Sequence, residues 1–256
     1  MIFYDFIKNN GVLNEVKIRA MDLRIVYFAI AIYVLLVKLV IPWVMKNRKP
    51  FALKKTLIVY NLLSSFLNGL LAYHMFCHLY ENWNVRCSVR NASKEVKNNY
   101  ATKGFNLISY NALLKFIEWF DTIFFALRKK NSQITHLHVI HHTGISLFPF
   151  YFSKLELPSF SYILGSNINC VIHVFMYLYY GLAAIGPHVQ IYLGWKKYLT
   201  MIQIAQFVVL MSYILFSFAT GCEPLESVEM GLFVFVLIIL LFFLNFYVKS
   251  YGTKTE

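Results

Sequence analysis

Seven stretches of about twenty mostly apolar residues dominate the sequence, at roughly 25–45, 56–78, 109–128, 135–153, 159–181, 198–219 and 230–248. A helix crossing the hydrocarbon core of a bilayer needs about 20 such residues, and at about 1.5 Å of rise per residue each stretch makes about 30 Å of helix. Apolar surface on this scale cannot be hidden in one soluble core: 59% of the 256 residues are hydrophobic and only 14% charged, against about 25% charged in soluble domains. The pattern predicts an all-α, polytopic membrane protein with seven transmembrane helices, in which residues 1–256 form a single membrane domain. The stretch at 135–153 is the most polar, holding His136, His138, His141, His142 and Pro149. Such a helix is tolerated where its polar face looks into the bundle or a water-filled cavity.

The formal net charge is +12. Most basic residues lie between apolar stretches, which fits topology and anionic head groups. No nucleic-acid-binding motif accompanies them, so nucleic acid is not an expected partner. Lys46, Arg48, Lys49, Lys54 and Lys55 fill the first connection, Arg128, Lys129 and Lys130 the third, and Lys196 and Lys197 the fifth. The positive-inside rule assigns these connections and the C-terminus to the cytosol and the N-terminus to the lumen. The second connection is basic as well, with Arg86, Arg90, Lys94, Lys97 and Lys103, but Glu81 and Glu95 dilute it. Asn91-Ala92-Ser93 is the one glycosylation sequon and falls there, making Asn91 a candidate glycan acceptor. Cys87 and Cys222 fall in two connections assigned to the oxidising side, which predicts a disulfide between them. Cys77 and Cys170 lie inside spans. The first 24 residues mix polar and apolar side chains, including Asp5, Lys8, Glu15, Lys17 and Asp22, so no cleavable signal peptide is expected.

Polar residues within the spans locate the chemistry. Lys115, Glu118 and Asp121 recur at intervals of three and are expected on one helical stripe. An unpaired ionisable group at lipid depth costs several kcal/mol. A structural Lys115–Glu118 ion pair near the membrane edge is one reading, and it leaves Asp121 to hold a histidine in one tautomer. His138, His141 and His142 stand at i, i+3 and i+4, on one face. A lone histidine in a core is usually a hydrogen-bonded structural residue. Three on one face point to metal binding or to proton transfer and nucleophilic chemistry. Asn169, His173 and Tyr177, at i, i+4 and i+8, form a stripe on the fifth span. Thr200 and Gln203 share a face on the sixth, which Gln206 extends, although such residues also serve simply to join helices. Together these stripes describe a polar chamber with apolar walls. Cys170 points about 100° away from Asn169 on an ideal helix and reads as a packing residue.

Two rival readings share some of these features. His74 and His78 form an HxxxH pair that, with the HxxHH run, partly matches membrane di-iron desaturases. A third histidine box is missing, since His173 and His188 are isolated, so neither metal nor cofactor is expected. A receptor or transporter would account for intramembrane charge, but no inverted repeat is visible.

The segments Lys115-Phe-Ile-Glu118-Trp-Phe-Asp121-Thr122, His138-Val-Ile-His141-His142, Asn169-Cys-Val-Ile-His173-Val-Phe-Met176-Tyr177 and Thr200-Met-Ile-Gln203 resemble, in order and spacing, the KxxExxDT, HxxHH, NxxxHxxMY and TxxQ boxes of the very-long-chain fatty acid elongases (the ELO family). The resemblance spans nearly the whole chain. It implies six of seven helices ringing an acyl-chain tunnel. It also implies condensation of acyl-CoA with malonyl-CoA to 3-ketoacyl-CoA, with loss of CoA and carbon dioxide, in the endoplasmic reticulum membrane. Lys254 stands alone in the tail, short of a dilysine retrieval signal, so that location rests on the resemblance. His141 is then expected to accept the acyl group, a competent role for a neutral imidazole. His173, His138, His142 and Asp121 would assist, and Lys115, Glu118, Asn169, Tyr177, Thr200 and Gln203 would bind substrate. Expected partners are both CoA substrates, membrane lipids and the other enzymes of the elongation cycle, with a homodimer left open.

Overall fold

A computed structural model describes residues 22–223 and 226–252. The expectations about a signal peptide and about Lys254 fall outside them. Helix α1 (Leu23–Met45) starts at Asp22, whose carboxylate accepts from the Arg24 N–H at 2.9 Å, and passes through one π-turn at Leu36–Val40. It is followed by α2 (Lys54–Asn82), α3 (Lys94–Ile117), α4 (Phe120–Leu127), α5 (His136–Phe152), α6 (Phe160–Ile185), α7 (Lys196–Ala219) and α8 (Ser227–Tyr251). No strand occurs among the described residues.

Five helices, α1, α2, α6, α7 and α8, are long and apolar enough to cross a membrane, and the chain is a multi-pass membrane protein. The remaining two expected spans differ from prediction. The third begins at Lys94 rather than near 109, because Ser93 caps α3 by accepting from the Val96 N–H at 3.4 Å. It then breaks, with α3 ending on Glu118 and α4 starting at Phe120. Its first half carries Lys94, Glu95, Lys97 and Lys103 and is too polar for hydrocarbon. The fourth, α5, has 17 residues, short of the usual span. Pro149 sits inside α5 without ending it.

Both helices belong to the bundle. Neighbours pack in the order α2, α6, α7, α8, α5, α3 and back to α2, so that six helices close a ring, while α1 lies outside against α4 and α5. Lipid supplies little hydrophobic drive for helix association, so close approach has to do it. Gly165 of α6 shows this: a Cβ there would stand 2.8 Å from a Leu210 methyl of α7. One end of the ring is filled by Met75, Ile108, Phe150, Phe152, Phe160 and Ile163, all buried.

At that end the three even-numbered connections meet. Cys87 and Cys222 are bonded, tying the α2–α3 connection to the α7–α8 connection. The neighbouring Glu223 carboxylate accepts from the Phe160 and Ser161 N–H groups at 2.6 and 3.1 Å, capping α6. Tyr100 donates to the Pro158 carbonyl at 3.0 Å, and Arg90 pairs with Glu226 at 2.7 Å. At the opposite end the Phe51 N–H donates to the Leu127 carbonyl at 3.2 Å, and Lys129 donates to the Lys46 carbonyl at 3.2 Å. Asn91 is exposed at the disulfide end.

Mass spectrometry of non-reduced peptides is expected to recover Cys87 linked to Cys222. Cys222→Ser is expected to lower the thermal midpoint by several degrees. Closing a loop across 135 residues restrains the unfolded chain by up to about 5 kcal/mol, an upper figure for helices that stay inserted. Two free thiols in protein from an oxidising compartment would contradict the joined connections.

Candidate active site

The site is a ladder between α6 and the α3–α4 segment. Asn169, His173 and Tyr177 each meet one ionisable residue in register. Lys115 Nζ donates to Asn169 Oδ1 at 2.8 Å, His173 Nδ1 lies 3.0 Å from Glu118 Oε1, and the Tyr177 hydroxyl donates to Asp121 Oδ2 at 2.7 Å. Steps of three on an unbroken α3 would rise about 9 Å, against about 12 Å for two steps of four on α6. The break at Glu118–Trp119 separates the second rung from the third and lets the two sides keep register.

Burial explains why the rungs are charged in pairs. Lys115 is 1% and Glu118 0% exposed. Removing such groups from water is tolerated only when their donors and acceptors are matched. Lys115 spends its ammonium protons on Glu118 Oε1 and Oε2, at 3.1 and 3.0 Å, and on Asn169. Glu118 also accepts from Asn68 of α2 at 3.3 Å. Asn169 uses its oxygen on Lys115, which leaves its NH₂ as the donor end.

The structure corrects the expected role of Asp121. The carboxylate beside an imidazole is Glu118, on His173, and Asp121 receives the Tyr177 hydroxyl instead. The three residues do not share one continuous helix either. The Lys115–Glu118 ion pair lies deep in the bundle rather than at its edge.

The three histidines of α5 separate by environment. Thr135 caps the helix by accepting from the His138 N–H at 3.1 Å. His138 Nε2 lies 2.8 Å from Thr122 Oγ1 of α4, and its ring is 4.3 Å from that of His142. His142 is buried, with Nδ1 unpartnered among the described residues. His141 alone among them borders a cleft, together with Lys115, Asn169, Asn111, Tyr162 and Gln206 and apolar residues such as Phe207, Leu210 and Val236. Among the described residues its ring holds no hydrogen bond.

Thr200 is buried, and Gln203 donates to Met176 Sδ at 3.7 Å. Neither lines the cleft, where Gln206 stands instead. Cys170 is fully buried and off the cleft. Of the residues that sequence reasoning did not single out, Asn68 had a signal: Asn61, Ser64 and Asn68 recur at i, i+3 and i+7 and are all buried. Asn111, which donates to the Tyr162 hydroxyl at 3.1 Å and to Ser166 Oγ at 3.3 Å, lies one turn before Lys115. Tyr33 had no such signal.

Residues 19–256 match the GNS1/SUR4 (ELO) family. The chain is similar to very long chain fatty acid elongase 4 of Macaca mulatta, 36% identical over 227 residues, covering 86% of this chain and 69% of that protein. It is similar to very long chain fatty acid elongase 7 of Rattus norvegicus, 37% identical over 232 residues, covering 87% and 79%. The elongase 7 of Drosophila melanogaster is 38% identical over 224 residues, covering 86% and 66%. With a family match that takes in every rung of the ladder and the histidine face beside it, the chain belongs to the GNS1/SUR4 (ELO) family.

Proposed function

We propose that this protein is an enzyme of very-long-chain fatty acid elongation that condenses a long or very long acyl-CoA with malonyl-CoA. The products are 3-ketoacyl-CoA, free CoA and carbon dioxide. The observation that carries the reading is His141: a half-buried imidazole, without a hydrogen bond among the described residues, at the wall of a largely apolar cleft in a protein whose relatives are named elongases.

The reaction divides into two steps. The unprotonated nitrogen of His141 attacks the thioester carbonyl, the C–S bond breaks, and the ring is left as an N-acylimidazolium as CoA departs as its thiolate. Malonyl-CoA then loses carbon dioxide. Its C2 carries the freed electron pair to the acyl carbon, and the imidazole leaves as the carbon–carbon bond closes. His173, held by Glu118, assists from the facing helix, and Asp121 orders Tyr177. The Asn169 NH₂ supplies a donor for a developing oxyanion, a contribution of about 10²–10³ in rate where such donors have been removed. Lys115 can meet the malonyl carboxylate only by giving up one of its present acceptors. Thr200 and Gln203 support the wall behind Met176 and act on substrate at one remove.

The basic end attracts CoA phosphates by its field and faces the cytosol. The disulfide end, with Asn91, faces the lumen of the endoplasmic reticulum, and α3–α4 and α5 complete seven crossings. The other elongation-cycle enzymes take up the product.

The test is product analysis with labelled malonyl-CoA and a panel of acyl-CoA chain lengths, run with and without a chelator. A labelled 3-ketoacyl-CoA at equal rates in both arms is expected, from protein carrying far less than one iron or zinc per chain. Failure to form that product with any chain length, or stoichiometric bound iron with chelator inhibition, would overturn the reading.

A further inference from the structure

A buried chain of hydrogen bonds connects the helix outside the ring to the histidine face. The Tyr33 hydroxyl of α1 lies 2.6 Å from Thr122 Oγ1 of α4, which lies 2.8 Å from His138 Nε2 of α5. Tyr33 is 3% and Thr122 0% exposed. The Tyr33 ring is fixed as well, stacked on Trp119 with centroids 4.3 Å apart, and the Trp119 indole donates to Ser146 Oγ at 2.9 Å.

The direction of the chain follows from counting protons. A phenol and a threonine hydroxyl each have one proton to give. Among the described residues Tyr33 bonds to no acceptor other than Thr122. If the imidazole donated from Nε2, the two bonds would have three protons to place, and one hydroxyl proton, that of Tyr33 or of Thr122, would be buried without an acceptor among the described residues. A buried donor left unmade is the costlier arrangement. In the opposite direction Tyr33 donates to Thr122 and Thr122 donates to Nε2, so both buried hydroxyl protons are placed, and the proton left over sits on Nδ1 of the half-buried His138, which is not among the buried side-chain atoms that lack a partner.

We infer that Tyr33 is a positioning residue that, through Thr122, fixes His138 as its Nδ1–H tautomer and withholds that ring from acyl transfer. An imidazole accepts an acyl group at its unprotonated nitrogen, and in His138 that nitrogen is occupied by the Thr122 hydroxyl. The histidine face thereby acquires a division of labour: His141 keeps a free ring at the cleft, and His138 presents a fixed N–H beside His142. The catalytic half of this inference rests on the acyl-imidazole reading given under Proposed function. The proton assignment does not.

The test uses full-length protein labelled with ¹⁵N-histidine in nanodiscs. Subtracting the spectrum of His138→Gln from wild type isolates one ring among the eight histidines, at a pH where it is neutral. The expected signature is a protonated Nδ1 and an unprotonated Nε2. Tyr33→Phe keeps the stack on Trp119 and removes only the hydroxyl. It should turn the signature into a mixture of tautomers and lower kcat about tenfold, the scale of one net hydrogen bond, with KM for acyl-CoA unchanged. Thr122→Val should lose the signature and Thr122→Ser should keep it, which separates the hydroxyl's role from packing. A proton on Nε2 in wild type, or a spectrum indifferent to Tyr33→Phe, would overturn the assignment. These spectra need no turnover, so a wild-type protein that forms no 3-ketoacyl-CoA would defeat the proposed function and leave the tautomer to be read.

Discussion

Glu118→Ala is expected to cost about 3–5 kcal/mol of folding stability, the range seen when one partner of a buried ion pair is removed. The variant leaves the Lys115 ammonium, 1% exposed, with Asn169 as its one remaining acceptor among the described residues, and it strips the acceptor from His173 and leaves Asn68 only the Ser64 carbonyl. A fall in thermal midpoint in nanodiscs, with loss of condensation, is the measured outcome. The informative companion is Lys115→Met combined with Glu118→Met. Replacing both partners of such a pair by apolar residues is often neutral or better for stability, so most of the lost midpoint should return. The ladder does not return with it, because His173 has lost its carboxylate and Asn169 its lysine. Condensation should stay low in the double variant. A double variant that condenses near the wild-type rate would show that the pair only holds the fold together, and a Glu118→Ala protein that melts like wild type would show that it does not do even that.

His141→Ala is expected to abolish the first half-reaction. In wild type, acyl-CoA offered without malonyl-CoA should release about one CoA per active site and leave labelled acyl on the protein. The variant should do neither, and its condensation rate should fall on the order of 10³-fold, the scale associated with groups that act on the reacting atoms. Its fold should survive, because the ring holds no hydrogen bond among the described residues and stands at a cleft wall where its loss opens existing space. His188→Ala gives the control: that residue is exposed on the short turn after α6, and its loss should leave the rate unchanged. If labelled acyl-CoA never marks the protein, and initial rates require both substrates bound together, the acyl-imidazole route is wrong.

Much of the site is legible in the sequence because intramembrane polarity is expensive. Periodicity alone puts His138, His141 and His142 on one face and Asn169, His173 and Tyr177 on another. The partners across the ladder are another matter. Spacings of three suggest that Lys115, Glu118 and Asp121 form one stripe, and nothing local shows that the helix breaks at Glu118–Trp119. The histidine partner therefore goes to the wrong carboxylate. The polar start of α3 reads as a loop, since Lys94, Glu95, Lys97 and Lys103 hide a helix that begins at Ser93. Tyr33 is invisible by the same logic. A tyrosine in an apolar span passes for an interfacial or packing residue, and only the fold brings its hydroxyl to Thr122, 89 positions along the chain.

The bond between Cys87 and Cys222 also sets an order of events in synthesis. Its two sulfurs are 135 residues apart, and chains grow at about 5–20 residues per second. Cys87 thus waits roughly 7–27 s for its partner, while α3 to α7 emerge and insert. The residue that caps α6, Glu223, arrives directly after that partner. The helix bearing Asn169, His173 and Tyr177 is therefore made early and secured late. A chain arrested before the α7–α8 connection would carry the histidine face and three of its rung residues on a helix whose first turn is uncapped by Glu223. Quality control that watches for unpaired thiols would find Cys87 exposed throughout that interval.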